Sequence, residues 1–100
     1  MSRVTLSARA KTDLAEIHGY IAQDKPLAAD RQIAAFFERF QTLAAQPLLG
    51  EARSDLRPAL RTFSVGNFVV CYFPTNDGIR IARVLRGSRD IVAIFRKNIR

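Results

Sequence analysis

The chain has 100 residues, 48% of them hydrophobic, and a formal charge of +7 from 16 Lys+Arg against 9 Asp+Glu. That length points to one domain over residues 1–100 with a modest core, and a single cysteine (Cys71) beside a single histidine (His18) excludes both an internal disulfide and a zinc site of the usual Cys/His type. No apolar run reaches membrane-spanning length and MSRVTLSARAKTD lacks the apolar core of a signal peptide, so the expectation is a cytoplasmic protein without membrane contact.

Residues 3–6, RVTL, alternate polar and apolar and predict a short strand, with Ser7 placed to cap a helix. From Ala8 to Gln23, Ala10, Leu14, Ile17 and Ile21 recur at spacings of four, three and four, which is one helix face. Lys11, Asp13, Glu16 and His18 fall largely off that stripe and read as solvated. Asp24-Lys25-Pro26 breaks the helix, and proline suits the first turn of the next. The second helix runs from Pro26 to Ala45 on a stripe of Ile33, Phe36, Phe37, Phe40, Leu43 and Ala44, giving an antiparallel helical hairpin. PLLGEARSDLRP (47–58) has no clear period and reads as a surface connection.

The pattern then changes to period two. LRTFSV (60–65) and FVVCYF (68–73) flank Gly66-Asn67, a two-residue hairpin signal, and IRIARVLR (79–86) follows the turn TNDG (75–78). The hairpin pairs Val65 with Phe68, Phe63 with Val70 and Arg61 with Tyr72 on one face. A short helix over Asp90–Lys97 closes the chain. The fold class is therefore α+β, in the order β-α-α-β-β-β, with the helical hairpin packed on a small, mainly antiparallel sheet.

Charge is unevenly placed. Residues 1–50 carry six bases and five acids, and residues 51–100 carry ten bases and four acids, or +6. An anionic partner, nucleic acid or an acidic protein segment, should meet the second half. Strict alternation puts Ile79, Ile81, Arg83 and Leu85 on one face of the last strand, and Arg80, Ala82, Val84 and Arg86 on the other. Arg83 then interrupts an apolar face, where a charge needs a carboxylate, an aromatic ring or a groove. Arg80 reads as a solvated strand end. Asp90 is placed to cap the last helix or pair with an arginine. Catalytic groups are hard to find: His18 has no triad partner in sequence, Cys71 and Tyr72 read as packed strand residues, Asp13 with Glu16 reads as a solvated pair, and there is no Gly-rich phosphate loop.

Taken in order, LSARAKTDLAEIHGYIAQD (6–24), the AAD at 28–30, ERFQTLAAQPLLG (38–50), DLRPALRTFSVGNFVVCYF (55–73) and IRIARVLRGSRDI (79–91) resemble the ParE toxins of the RelE/ParE toxin–antitoxin superfamily over nearly the whole chain. The resemblance implies a helical hairpin on a small, mainly antiparallel sheet. It implies the toxin of a type II pair, neutralised by an acidic ParD-like antitoxin that folds on binding, with DNA gyrase as target. No cofactor is implied. The expected binding mode is an amphipathic helix in an apolar groove with strand addition at a sheet edge, and no direct sequence-specific nucleic-acid binding. RelE-like relatives are ribosome-dependent mRNA endonucleases, the alternative reading. They resemble one another in a strand arginine, in a pattern like YRLVY, where this chain has Val69. They also carry a C-terminal tyrosine or histidine that residues 87–100 lack. Where ParE sequences often have histidine after RVL, this chain has Arg86. These departures point away from an enzyme, with no catalytic residue and with Arg61, Arg83, Arg86 and Arg89 as candidate antitoxin or target contacts.

Overall fold

The computed structural model describes residues 2–87 and 91–97. The alternating RVTL segment forms strand β1 (Arg3–Leu6), and the chain turns at Ser7 into helix α1 (Ala8–Ala22). Ser7 fixes this corner three ways. Its Oγ accepts from the Ala10 N–H at 3.0 Å and donates to the Ala82 carbonyl at 2.7 Å, while its own N–H donates to the Ile81 carbonyl at 2.9 Å. A cap of this kind satisfies one of the orphan donors of the first helical turn. Helix α2 (Pro26–Ala45) starts with proline in its first turn, where the missing N–H costs nothing.

Strands β2 (Glu51–Ala52), β3 (Arg61–Val65), β4 (Phe68–Thr75) and β5 (Gly78–Arg86) follow, then helix α3 (Ile91–Lys97). The sheet order is β1-β5-β4-β3-β2, antiparallel throughout except for the parallel β1–β5 pair. The hairpin has the expected register, Val65 opposite Phe68, Phe63 opposite Val70 and Arg61 opposite Tyr72, with Gly66 at φ 59° where a side chain would be strained. Because β1 and β2 lie at opposite edges of the sheet, the chain between them has to cross it, and the α1–α2 hairpin does so over one sheet face.

Two cores result. On the helical side, Phe36, Phe40 and Leu43 of α2 meet Val70 and Tyr72 of β4 and Ile81 of β5, all with at most 0% exposure. Phe36 also meets Phe68 edge-on at 5.2 Å between ring centroids, tying α2 to the hairpin. On the opposite side, Val69, Cys71 and Leu85 are covered by Leu56, Leu60 and the Ile91 and Phe95 side chains of α3. The middle strand is thus buried on both faces, as its apolar run requires.

Three expectations are corrected, and one reaches past the described residues. The 47–58 segment is more than a surface connection: it contributes β2, and Leu56 is buried in the second core because its side chain fills the space beside Leu60. Phe37 is 42% exposed, since it lies at the margin of the α2 stripe and touches Phe40 only edge-on. The last helix is described from Ile91, and Asp90 lies outside the described residues. The face assignment of β5 fails midway. Cys71 pairs with Arg83 but Tyr72 pairs with Ile81, so Ala82 is an extra residue, a β-bulge. Beyond it the alternation is reversed: Val84 joins Ile79 and Ile81 in the helical-side core, while Leu85 joins the opposite core.

Gly78 sits against the backbone of Arg3, where an added Cβ would run into the Arg3 carbonyl. Gly78→Ala is expected to lower the urea midpoint by an amount equivalent to about 1–3 kcal/mol, through forced separation of β1 from β5. Gly19, in α1 with nothing within 4 Å of an added Cβ, supplies the opposite case. Gly19→Ala should raise stability by about 0.5–1 kcal/mol in the same assay, from helix propensity alone.

Candidate functional site

Strand β1 pairs with β5 only from Gly78 to Ile81. Past that point the edge of β5 is open, and the N-terminal half of α1 crosses it. Asp13 projects onto this edge. Its Oδ2 accepts from the Val84 backbone N–H at 2.9 Å and from Arg83 Nε at 2.8 Å, and its Oδ1 accepts from Arg83 Nη2 at 3.0 Å. The two side chains are 7% and 15% exposed. This is a bidentate guanidinium–carboxylate pair with a third, backbone donor. The hydrogen bond to Asp13 pushes the Arg83 pKa above its ordinary value, outweighing the opposing effect of burial.

Asp13 therefore lies inside, contrary to the solvated reading. Its spacing carried the signal: it stands three residues after Ala10 and four before Ile17, on the same side of α1 as the apolar stripe. Glu16, by contrast, is exposed as expected.

Beside the pair, α1 and the open half of β5 bound a groove with a cavity volume of about 420 Å³. Ile17, Tyr20 and Ile21 line its helix wall, and Phe68, Val84 and Leu85 its sheet wall. Arg86 stands at one end with its guanidinium 4.6 Å from the centroid of the Tyr20 ring. Tyr20 is 59% exposed, so the stacked pair forms the rim. Neither Tyr20 nor Phe68 was singled out from sequence, because helix and hairpin are brought together only by the tertiary fold.

Arg61 lies elsewhere, two strands across the sheet from β5 and so about 10 Å away. Its Nη1 donates to the carbonyls of Leu48 at 3.1 Å and Gly50 at 2.6 Å. Tyr72, fully buried, completes this clamp: its hydroxyl donates to the Pro47 carbonyl at 2.7 Å and accepts from the Gly50 N–H at 2.8 Å. Burial raises the Tyr72 pKa. The clamp holds the PLLG turn rigidly with Leu48 and Leu49 facing outward. Arg80 is exposed at the far end of β5, and Arg89 lies outside the described residues. Of the four candidate arginines, then, Arg83 and Arg86 are brought together at the groove and Arg61 is not.

His18 links the two helices of the hairpin, its Nε2 2.9 Å from Asp30 Oδ1. Cys71 is buried, and desolvation pushes its thiol up to about 12. Among the described residues no three His, Cys, Asp or Glu side chains gather as a metal site, and no helix is long and apolar enough to cross a membrane.

An antiparallel sheet with one parallel edge strand, a helical hairpin on one face and a groove beside the edge is the architecture of a known toxin class. The family model described as ParE toxin of type II toxin-antitoxin system, parDE, matches residues 4–91. The chain is 34% identical over 94 residues to Toxin ParE3 of Caulobacter vibrioides, covering 93% of this chain and 94% of that one. It is 32% identical over 85 residues to Toxin RelE3 of the same organism, covering 84% and 92%. A solved structure titled Chromosomal ParDE TA system from P. aeruginosa superimposes with a TM-score of 0.73 at 21% identity, covering 88% of this chain and 98% of that one. The chain belongs to the ParE toxin family of type II toxin–antitoxin systems.

Two outcomes follow from the buried groups. Tyr72→Phe leaves the Gly50 N–H and the Pro47 carbonyl without their partner and should cost about 1–3 kcal/mol in urea unfolding. With its pKa near 12, Cys71 has a thiolate fraction on the order of 10⁻⁴ at pH 8. Iodoacetamide should leave the native chain unmodified at that pH and alkylate it fully in urea, as read by mass spectrometry.

Proposed function

We propose that this chain is a non-enzymatic toxin that a ParD-like antitoxin neutralises and that inhibits DNA gyrase when released. The observation that carries the non-enzymatic part is the engagement of the cations a nuclease would need. Cleavage of RNA calls for a proton-transfer group and a cationic clamp on the developing phosphorane charge. Arg83 is held by Asp13, and Arg61 is held by the Leu48 and Gly50 carbonyls. Val69, at the position of the nuclease arginine, packs in the second core. Tyr72 uses its hydroxyl twice inside the fold, and His18 is paired with Asp30 between the two helices and does not line the groove. These groups do not converge on one surface.

Binding is better served. The groove is mainly apolar along both walls, with Glu16 on the helix wall and Arg86 at one end, which suits an amphipathic segment whose acidic side chain meets Arg86 and stays clear of Glu16. Of the candidate arginines among the described residues, Arg86 is the one offered to such a partner. Arg61 and Arg83 act by shaping the surface, and Arg89 joins as a contact on the strength of the sequence resemblance.

The similarity to a protein named Toxin RelE3 keeps mRNA cleavage as the second reading. A side-by-side assay separates the two. The purified chain should inhibit gyrase supercoiling at micromolar concentration and leave mRNA on translating ribosomes uncut. Cleavage of that mRNA by the purified chain, with supercoiling untouched, reverses the assignment.

A further inference from the structure

The net charge is confined to one layer of the fold. Residues 8–45, the helical hairpin, hold five bases and five acids, while the rest of the chain holds eleven bases and four acids and so carries the whole +7. The Asp13–Arg83 pair joins the layers and cancels within itself, which leaves the sheet layer at +6. Arg89, Asp90 and Arg100, outside the described residues, supply only +1 of this. We propose that the sheet face turned away from the helical hairpin binds the phosphate backbone of duplex DNA without sequence preference; the choice of DNA over RNA rests on the gyrase reading above. A layer of one sign of charge raises the local concentration of a polyanion.

Strand register places the donors. Val4 and Leu6 of β1 pack on the helical-side core, so Arg3 and Thr5 project from the other face. Thr5 stands beside Arg80, and Arg80 beside Phe73, whose ring packs on the second core. Thr5, Arg80 and Phe73 thus form one row across three strands, with Arg3 next to it, and Arg3, Thr5 and Arg80 are all exposed. Arg3 is 3.9 Å from Asp77, an exposed pair that a phosphate displaces at little cost. The cover of the second core extends the surface. The Arg53 N–H donates to the Leu60 carbonyl, so Arg53 stands on the same face as Leu60. Its hydrogen bond holds the Asp55 carboxyl below its ordinary pKa, and the field of Arg96 on α3 adds to that, so Arg96 stands near the pair. Glu51 lies at the margin, on the edge strand β2.

The chemistry of this face selects among anions. Guanidinium and hydroxyl donors at strand spacing suit phosphate oxygens, which take Arg and Thr contacts that fix position and carry no sequence. An acidic peptide would need apolar anchors, and the row Arg3, Thr5 and Arg80 offers none. Single strands stack on open aromatic rings, whereas Phe73 is half-buried against the second core, so the fit is to a duplex. The longest extent of the molecule, 38 Å, limits the footprint to about one helical turn. Arg86 and Tyr20 lie on the other side of the sheet, so the groove stays separate from this surface.

Fluorescence anisotropy of a labelled duplex of about 20 base pairs and arbitrary sequence, titrated with the full chain, tests the proposal. Binding should fall in the micromolar range at low salt, and engagement of about three phosphates should weaken it roughly 40-fold between 50 and 200 mM salt. Arg80→Glu/Arg96→Glu should weaken it at least tenfold more than Arg31→Glu/Arg39→Glu, a change of equal charge on exposed residues of the helical layer, with urea midpoints confirming that both variants fold. Equal weakening by the two would show a response to net charge alone and overturn the face assignment. No binding in 50 mM salt overturns the proposal outright. An RNA duplex of the same length bound tenfold more tightly overturns the choice of DNA, and displacement by polyglutamate more readily than by DNA of equal charge makes the occupant an acidic protein. Face-specific DNA binding by a chain that leaves gyrase supercoiling untouched sinks the target reading and upholds this surface.

Discussion

One carboxylate holds the two halves of this molecule together. Asp13 accepts two bonds from the Arg83 guanidinium and a third from the Val84 backbone N–H, and these residues stand seventy positions apart in the chain. A buried charge is costly unless its partners are complete, and here the pair and the edge amide complete each other. The bond fixes where α1 crosses the sheet. It thereby sets the width of the groove between α1 and β5 and terminates the satisfied part of the edge. Removing either partner would strand the other in a largely desolvated site, so Arg83 is committed to structure.

The arginines at every third position in IRIARVLR acquire a physical reading from the same region. Ala82 is the extra residue of a bulge. Arg80 pairs with Phe73 and Arg83 with Cys71, so two residues three apart share a sheet face. Arg86, opposite Phe68, lies on the other face, where it stacks on Tyr20. A bulge inserts one residue without any distinctive local composition, which is why strict alternation misassigned the second half of β5. Ser7 anchors this irregularity by donating to the Ala82 carbonyl, a contact across the whole length of the chain that no local pattern announces.

Elements governed by local chemistry were legible. The Ser7 cap, the proline start of α2, the Gly66-Asn67 turn and the register of β3 against β4 all depend on residues close in sequence. So did the burial of Cys71 and the exposure of Arg80. Legibility stopped where distant segments meet. Asp13 looked solvated because its partner is on β5, Leu56 looked like loop because its pocket is built by β4 and α3, and Arg61 looked free because its acceptors are carbonyls of a turn. The groove exists only after α1, β5 and the hairpin are assembled, so Arg86 could be named as a candidate from sequence but Tyr20 and Phe68 could not.

The functional consequence is a division of labour among cations. Arg61 and Arg83 are internal fasteners, one for the PLLG turn and one for α1, and Arg86 is presented at a groove. That division supports a protein acting through its surface. It rests on Arg83 being a structural partner of Asp13, which a double-mutant cycle in urea unfolding measures directly. Asp13→Asn retains an acceptor for the Val84 N–H, and Arg83→Met retains length and packing. Each single change should destabilise by about 3 kcal/mol, and the double variant by about as much as the worse single, giving a coupling of about 3 kcal/mol. Single effects that add to within about 0.5 kcal/mol would show the pair to be uncoupled and contradict the account.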